Sequence, residues 1–231
     1  MQIEHLIFDM DNTLYTANSA MDTGISQRMM ECVMDFFHCT YEEATEIRKK
    51  RVRNFSTTLE WLRSEGLTDV EGFFRHVHPE NEADELEEDP DLRPFLQSIA
   101  IPKIICTNAP REHAERVLNK LNVKDLFSEI CDIRDFNFLG KPYSSAFKKA
   151  MQKAGGTIEN SIFIDDMLKY TDGWESLGGT AILVGNKNGH HLTPEAAAAK
   201  NTEKPVHPGR TLKIESIYKL PEALKLIQAE S

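Results

Sequence analysis

The chain has 231 residues, 40% of them hydrophobic and 28% charged, with a formal net charge of −10. That composition suits a globular protein of one large or two unequal domains, and the acidic balance gives no support to a nucleic-acid polymer or a membrane as partner. No window approaches the length of a membrane-spanning helix, and the first residues lack the basic region and apolar run of a secretory leader.

In chain order, the first element is a strand over Ile3–Phe8. Its apolar Leu6-Ile7-Phe8 leads straight into Asp9-Met10-Asp11-Asn12-Thr13. Two carboxylates at the end of a buried strand are costly unless their charge is compensated. A divalent cation does this, and hard oxygen ligands suit magnesium. From about residue 16 to 88 only helical signals follow. Ile25, Met29, Cys32, Val33, Phe36 and Phe37 share one helix face. Thr40 with Glu43, Thr57 with Glu60 and Thr68 with Glu71 make capping-box patterns. The acidic run Glu80–Asp91 reads as a solvated linker.

Strands over Lys103–Cys106, Glu129–Ile133, Ser161–Ile164, Thr180–Val184 and Leu212–Ile214 then alternate with helices. Ala114, Val117, Leu118 and Leu121 form one apolar helix face, with Pro110 suited to its first turn. Pro142 opens another helix that Gly155-Gly156 can end. Glu195–Pro208 reads as a surface excursion before the last strand. The alternation predicts an α/β fold, a Rossmann-like parallel sheet flanked by helices, with an all-helical domain inserted after the first strand. The expected boundaries are a core of 1–15 and 89–231 and an insertion of 16–88. Cys32, Cys39, Cys106 and Cys131 form no Cys-x-x-Cys pair and read as reduced thiols, which points to the cytoplasm.

Four polar signals follow strand-like runs: Asp9 and Asp11, Thr107-Asn108, Gly140-Lys141-Pro142, and Asp165-Asp166. In an open parallel sheet the carboxyl ends of the strands share one edge, where ligands bind. The four signals can therefore converge. Carboxylates hold magnesium, a lysine is a point charge for phosphate, and a threonine hydroxyl donates to phosphate oxygens. Positioning and charge stabilisation are what phosphoryl transfer needs, and an aspartate can serve as the nucleophile.

Around that set the sequence is less specific. His76 and His78 read as a surface loop, with no ligand spacing for zinc, and His190-His191 as a loop on the sheet rim. Arg48, Arg51 and Arg53 could reach a substrate but as a group read as a solvated helix face. Phe55 and Trp61 read as core.

Phe8-Asp9-Met10-Asp11-Asn12-Thr13-Leu14-Tyr15 resembles the DxDxT motif of the haloacid dehalogenase (HAD) superfamily. Cys106-Thr107-Asn108-Ala109, Lys141-Pro142 and Ile164-Asp165-Asp166 resemble its second, third and fourth motifs, in order. The helical insertion is similar to the C1 cap of that superfamily. Asp11–Tyr15, together with the blocks Asp89–Arg93 and His113–Leu118, resembles its pyrimidine 5′-nucleotidase subfamily.

The resemblance implies a HAD-like core and roles for its residues. Asp9 would be the nucleophile and a magnesium ligand. Asp11 would move protons and bind the metal through its backbone carbonyl. Thr107, Asn108 and Lys141 would hold the phosphoryl group, with Asp166 the direct metal ligand and Asp165 beside it. Relatives often carry Asn or Asp four residues after the metal-binding Asp; here that position is Tyr170, with Asp172 two further on.

The expected function is a Mg2+-dependent phosphatase acting on a small-molecule phosphomonoester through an aspartyl phosphate. A nucleoside 5′-monophosphate is the favoured substrate, and the expected assembly is a monomer or homodimer. The alternatives are a phosphatase or phosphomutase for a sugar phosphate or phosphoglycolate, and a phosphorylatable or silent nucleotide-binding regulatory module. Dehalogenation uses the same nucleophile but needs neither Asp11 nor Asp165-Asp166.

Overall fold

A computed structural model of the chain describes residues 2–15, 20–185 and 209–229. Its centre is a six-stranded parallel sheet: β1 (His5–Phe8), β2 (Lys103–Cys106), β3 (Glu129–Cys131), β4 (Ser161–Asp165), β5 (Thr180–Val184) and β6 (Arg210–Ile214). Their order is β3-β2-β1-β4-β5-β6. All six strands sit where the apolar runs place them, β2 and β5 with the expected bounds and the other four with one end shifted by one or two residues. His190-His191 and the whole of Glu195–Pro208 lie outside the described residues.

Side chains alternate across a strand, so each strand feeds two apolar layers. Leu6, Phe8, Ile105 and Ile164 face one layer, with Ala114, Val117 and Leu118 of α6 (Arg111–Lys120) and Leu220, Leu224 and Ile227 of α9 (Leu220–Ala229). Ile7, Ile104, Cys106 and Phe163 face the other, with Phe147 and Met151 of α7 (Ser144–Ala154) and Trp174 of α8 (Leu168–Glu175). Helix α5 (Leu92–Ser98) adds Leu92 and Leu96 to the first layer. Helix α7 ends as the sequence predicts, on Gly155 at φ 72, a left-handed conformation that suits glycine. It begins later than Pro142 suggests, with Tyr143 as its N-cap. Pro110 is likewise the N-cap of α6 rather than part of its first turn.

Between β1 and β2 the described residues are helical: α1 (Ala20–Phe37), α2 (Tyr41–Arg51), α3 (Thr58–Ser64) and α4 (Val70–Val77). They enclose their own apolar cluster, in which Trp61 is fully buried and stacks on Phe37 at 5.4 Å. The capping box of Thr40 and Glu43 forms in both directions. Thr57 caps α3 by accepting the Glu60 N–H, but the Glu60 carboxylate turns to Ser56 and to the Tyr143 hydroxyl. The third pattern is displaced by one residue. Asp69, not Thr68, caps α4 by accepting the Gly72 N–H, because a carboxylate at the same distance from the first turn is the stronger acceptor.

The acidic run is not wholly a solvated linker. Its Glu82–Glu85 turn carries Glu82 and Ala83 inward, and Glu82 is only 3% exposed. Four cationic or ionisable neighbours, Arg28, His78, His113 and Arg116, make that burial possible. The four cysteines are free. Burial pushes the Cys131 thiol up to about 12 and Cys106 higher still. No helix among the described residues is long and apolar enough to cross a membrane.

Candidate active site

Strand β1 lies between β2 and β4, and the chain winds outward from it in opposite directions, so a crevice opens at the carboxyl ends of these three strands. Phe8 is in register with Ile105 of β2 and Ile164 of β4. Asp9 therefore leaves β1 level with Asp165, and its N–H still donates to the Ile164 carbonyl at 2.8 Å. Asn12, in the turn that follows, takes φ 63, which asparagine tolerates.

Lys141 enters this crevice from the loop after β3. It is fully buried, with Nζ 2.6 Å from Asp9 Oδ1 and 2.7 Å from Asp165 Oδ2. Its backbone is clamped by Asn108. The carboxamide oxygen accepts the Lys141 N–H at 2.7 Å, and the carboxamide nitrogen donates to the Lys141 carbonyl at 3.0 Å and to the Tyr170 hydroxyl at 3.1 Å. A Cβ on Gly140 would collide with the Asn108 oxygen, so only glycine allows the clamp to close. The Tyr170 ring lies 4.9 Å from Lys141 Nζ, where it adds a cation–π contact. Asn108 and Tyr170 thus support Lys141.

Asp9, Asp165 and Asp166 are all buried, and each offers a carboxylate oxygen within 4.8 Å of the others. Burial pushes Asp9 and Asp165 up, against the pull of Lys141. Burial also opposes the charge on Lys141, but Asp165 and Asp9 outweigh it and hold the ammonium well above its ordinary range. Three carboxylates facing one lysine leave a negative excess matched by one divalent cation. Thr107, 1% exposed at the end of β2, accepts the Ala109 N–H through its hydroxyl oxygen at 3.0 Å. As a hydroxyl it also carries a proton to donate.

Asp11 stands apart from that cluster. Its Oδ1 accepts the Tyr15 hydroxyl at 2.7 Å and His113 Nε2 at 2.8 Å. Burial opposes its charge, but His113 outweighs it and holds the carboxyl below its usual range. His113 is fully buried on α6, with Nδ1 2.6 Å from Glu82. Burial alone would lower it; Asp11 and Glu82 raise it to about 9. Flanked by two carboxylates, its imidazolium donates from both nitrogens. Burial opposes the Glu82 charge too, but His113 and His78 hold that carboxylate far below its usual range.

His78, Glu82 and His113 also satisfy the geometry of a metal site. However, Arg116 lies 2.9 Å and Arg28 3.8 Å from Glu82, so its charge is already compensated. The group reads as an ion-pair network.

The structure therefore brings Asp9, Lys141, Asp165 and Asp166 together, with Thr107 at the neighbouring strand end and Asp11 on its own relay. His78 is buried, not in a surface loop, whereas His76 is exposed and pairs with Glu31 at 3.0 Å. His113, Glu82 and Tyr15 were not singled out by the sequence as members of the site. Tyr15 and His113 do lie in the blocks that carry the subfamily resemblance. Glu82 gives no signal in a run of acidic residues. Arg48, Arg53 and Phe55 line a cavity of about 1200 Å³ between α1, α2 and the Met167–Lys169 turn, directly after Asp165-Asp166.

Residues 3–169 match the family described as haloacid dehalogenase-like hydrolase. Similar solved structures include a HAD phosphatase from Thermococcus onnurineus (20% identity, TM-score 0.60, covering 97% of this chain and 98% of that one). Another is L-2-haloacid dehalogenase from Xanthobacter autotrophicus (15% identity, TM-score 0.57, 97% and 99%). At these identities the likeness speaks for the fold and does not choose between the two chemistries. The family match spans most of the sequence and includes all four strand-end signals, so the chain belongs to the haloacid dehalogenase-like hydrolases.

Proposed function

We propose that this hydrolase is a magnesium-dependent phosphatase for small organic phosphomonoesters. The observation that carries the reading is the buried Asp9–Asp165–Asp166 cluster with a single lysine. A nucleophilic aspartate for dehalogenation needs no such excess of charge. The cluster fits magnesium in donor type and charge. Asp9 and Asp166 would hold the ion with the Asp11 backbone carbonyl. Both Asp165 oxygens are engaged, by Lys141 Nζ and the Met167 N–H, which favours Asp166 as the direct ligand. When bound, magnesium supplies charge stabilisation to the phosphoryl oxygens.

Asp9 would attack phosphorus while the bond to the leaving oxygen breaks. Asp11 would protonate that oxygen, then take a proton from the water that hydrolyses the aspartyl phosphate. Lys141 would neutralise the transferring group and Thr107 donate to it. The residues of 16–88 would act as a cap that excludes water and selects the leaving group. The subfamily resemblance favours a nucleoside 5′-monophosphate.

The test is phosphate release from a panel of nucleotides and sugar phosphates, with and without magnesium. Metal-dependent release that disappears in Asp9→Asn is expected. Halide release from 2-haloalkanoates with no phosphate release would overturn the reading.

A further inference from the structure

The cavity whose wall includes Met167, a residue whose N–H donates to Asp165 at 2.8 Å, carries charge that transfer of a phosphoryl group to Asp9 does not require. Arg48 on α2 is half-buried, and its guanidinium meets the Met30 sulfur at 3.7 Å. Lys169 donates to the Ser56 carbonyl at 3.0 Å and lies 4.7 Å from the Tyr170 ring. Arg53 is exposed on the cavity wall. None of these three has a carboxylate within ion-pair distance among the described residues. Their neighbours do: Lys49 pairs with Glu46 at 3.0 Å and Arg51 with Glu65 at 3.6 Å. The one carboxylate on the cavity wall, Glu31, is engaged by His76. Burial holds Arg48 below its ordinary range, as for a cation that lacks a counter-charge.

Three cations around one cavity, with no carboxylate partner among the described residues, in a chain of net charge −10, are complementary to an anion. Met30, Met34, Val52, Phe55 and Met167 give the wall an apolar part, beside hydroxyl and amide side chains such as Thr23, Ser26 and Gln27. A volume of about 1200 Å³ exceeds what a bare phosphate or a two-carbon ester fills.

We propose that the substrate's leaving group carries a second anionic group, held by Arg48, Arg53 and Lys169, on a flat apolar body lying against Met30, Phe55 and Met167. This rests on the phosphatase reading and narrows it. A plain nucleoside monophosphate fills the apolar part but leaves the cations unused, whereas a nucleotide with a second phosphate, or a phosphate ester of a hydroxylated aromatic carboxylate, uses both.

The test compares 4-carboxyphenyl phosphate with its neutral isostere 4-carbamoylphenyl phosphate, with phenyl phosphate as control, in the presence of magnesium. The carboxylate should have kcat/KM about tenfold or more above the amide, and the ratio should fall towards one in Arg48→Met and Arg53→Met. Arg53 is exposed, so its variant reports even where Arg48→Met unfolds. Uridine 3′,5′-bisphosphate against uridine 5′-monophosphate separates a second phosphate from a carboxylate as the preferred anion. Equal kcat/KM within both pairs overturns the inference and leaves the phosphatase reading intact. So does a preference for the anion that neither variant diminishes. Turnover of phenyl phosphate alone also overturns it, and phosphate release from none of the esters overturns the parent reading.

Discussion

His113 Nε2 lies 2.8 Å from Asp11 Oδ1, on a carboxylate oxygen that also accepts the Tyr15 hydroxyl at 2.7 Å. Two donors on one oxygen fix the rotation of the carboxylate. His113→Gln keeps a polar side chain but removes the imidazolium. We expect kcat to fall by about 10²-fold, within the range of a misplaced acid–base group, with KM changed far less. Tyr15→Phe should cost less, since His113 still orients the group. Steady-state kinetics on both variants checks the ranking; a rise in KM with unchanged kcat would contradict it.

The same pair makes stability depend on pH in two directions. His113 is raised from an ordinary 6.5 to about 9, so its contribution is complete below pH 6.5 and is lost as pH rises through 9. Asp11 and Glu82 are held below their ordinary 3.8 and 4.5, so their contribution is present above those values and is lost on acidification. Urea unfolding of the metal-free protein should weaken by roughly 2–4 kcal/mol between pH 6.5 and 9. His113→Gln should flatten that limb.

Among the described residues, Lys141 is the one cation within bonding distance of both Asp9 and Asp165. Lys141→Met keeps the volume and removes the charge, leaving two buried carboxylates facing each other. We expect loss of turnover and a destabilisation of about 3–5 kcal/mol at neutral pH, eased on acidification as the carboxylates take up protons. Denaturant titrations at two pH values measure this.

Magnesium should raise Tm in the wild type, and the rise should continue with the logarithm of its concentration, because a ligand that binds only the folded state stabilises it. Asp166→Asn should weaken that shift more than Asp165→Asn. Reversal of this order, read by thermal unfolding across a magnesium titration, would exchange the two residues' roles.

The strands and the strand-end signals were legible because both depend on local pattern. An apolar run such as Ile162-Phe163-Ile164 marks a buried strand, and parallel topology carries its last carboxylate to the shared edge. Glu82 was not legible. In sequence it is one acid among many, and its burial depends on Arg28 of α1, His78 after α4, and His113 and Arg116 of α6 converging on it. The clamp of Asn108 on Lys141 was hidden for the same reason, since it joins residues 33 apart in sequence. Asp69 displaced Thr68 as a cap because Asp, like Thr, is a good N-cap residue, and the two stand one position apart.

Glu82 has a consequence beyond its own burial. Arg28 approaches it from the helices between β1 and β2, His113 and Arg116 approach it from the sheet side, and His113 reaches on to Asp11. Any swing that draws α1 away from α6 must part Glu82 from one set of partners. If Glu82 leaves with α1, His113 keeps only Asp11 to balance its charge; if it stays, Arg28 is stranded. Glu82 therefore ties α1 to α6, and through His113 the same set of contacts reaches Asp11, so that a displacement of either helix would alter the charge balance around that carboxylate.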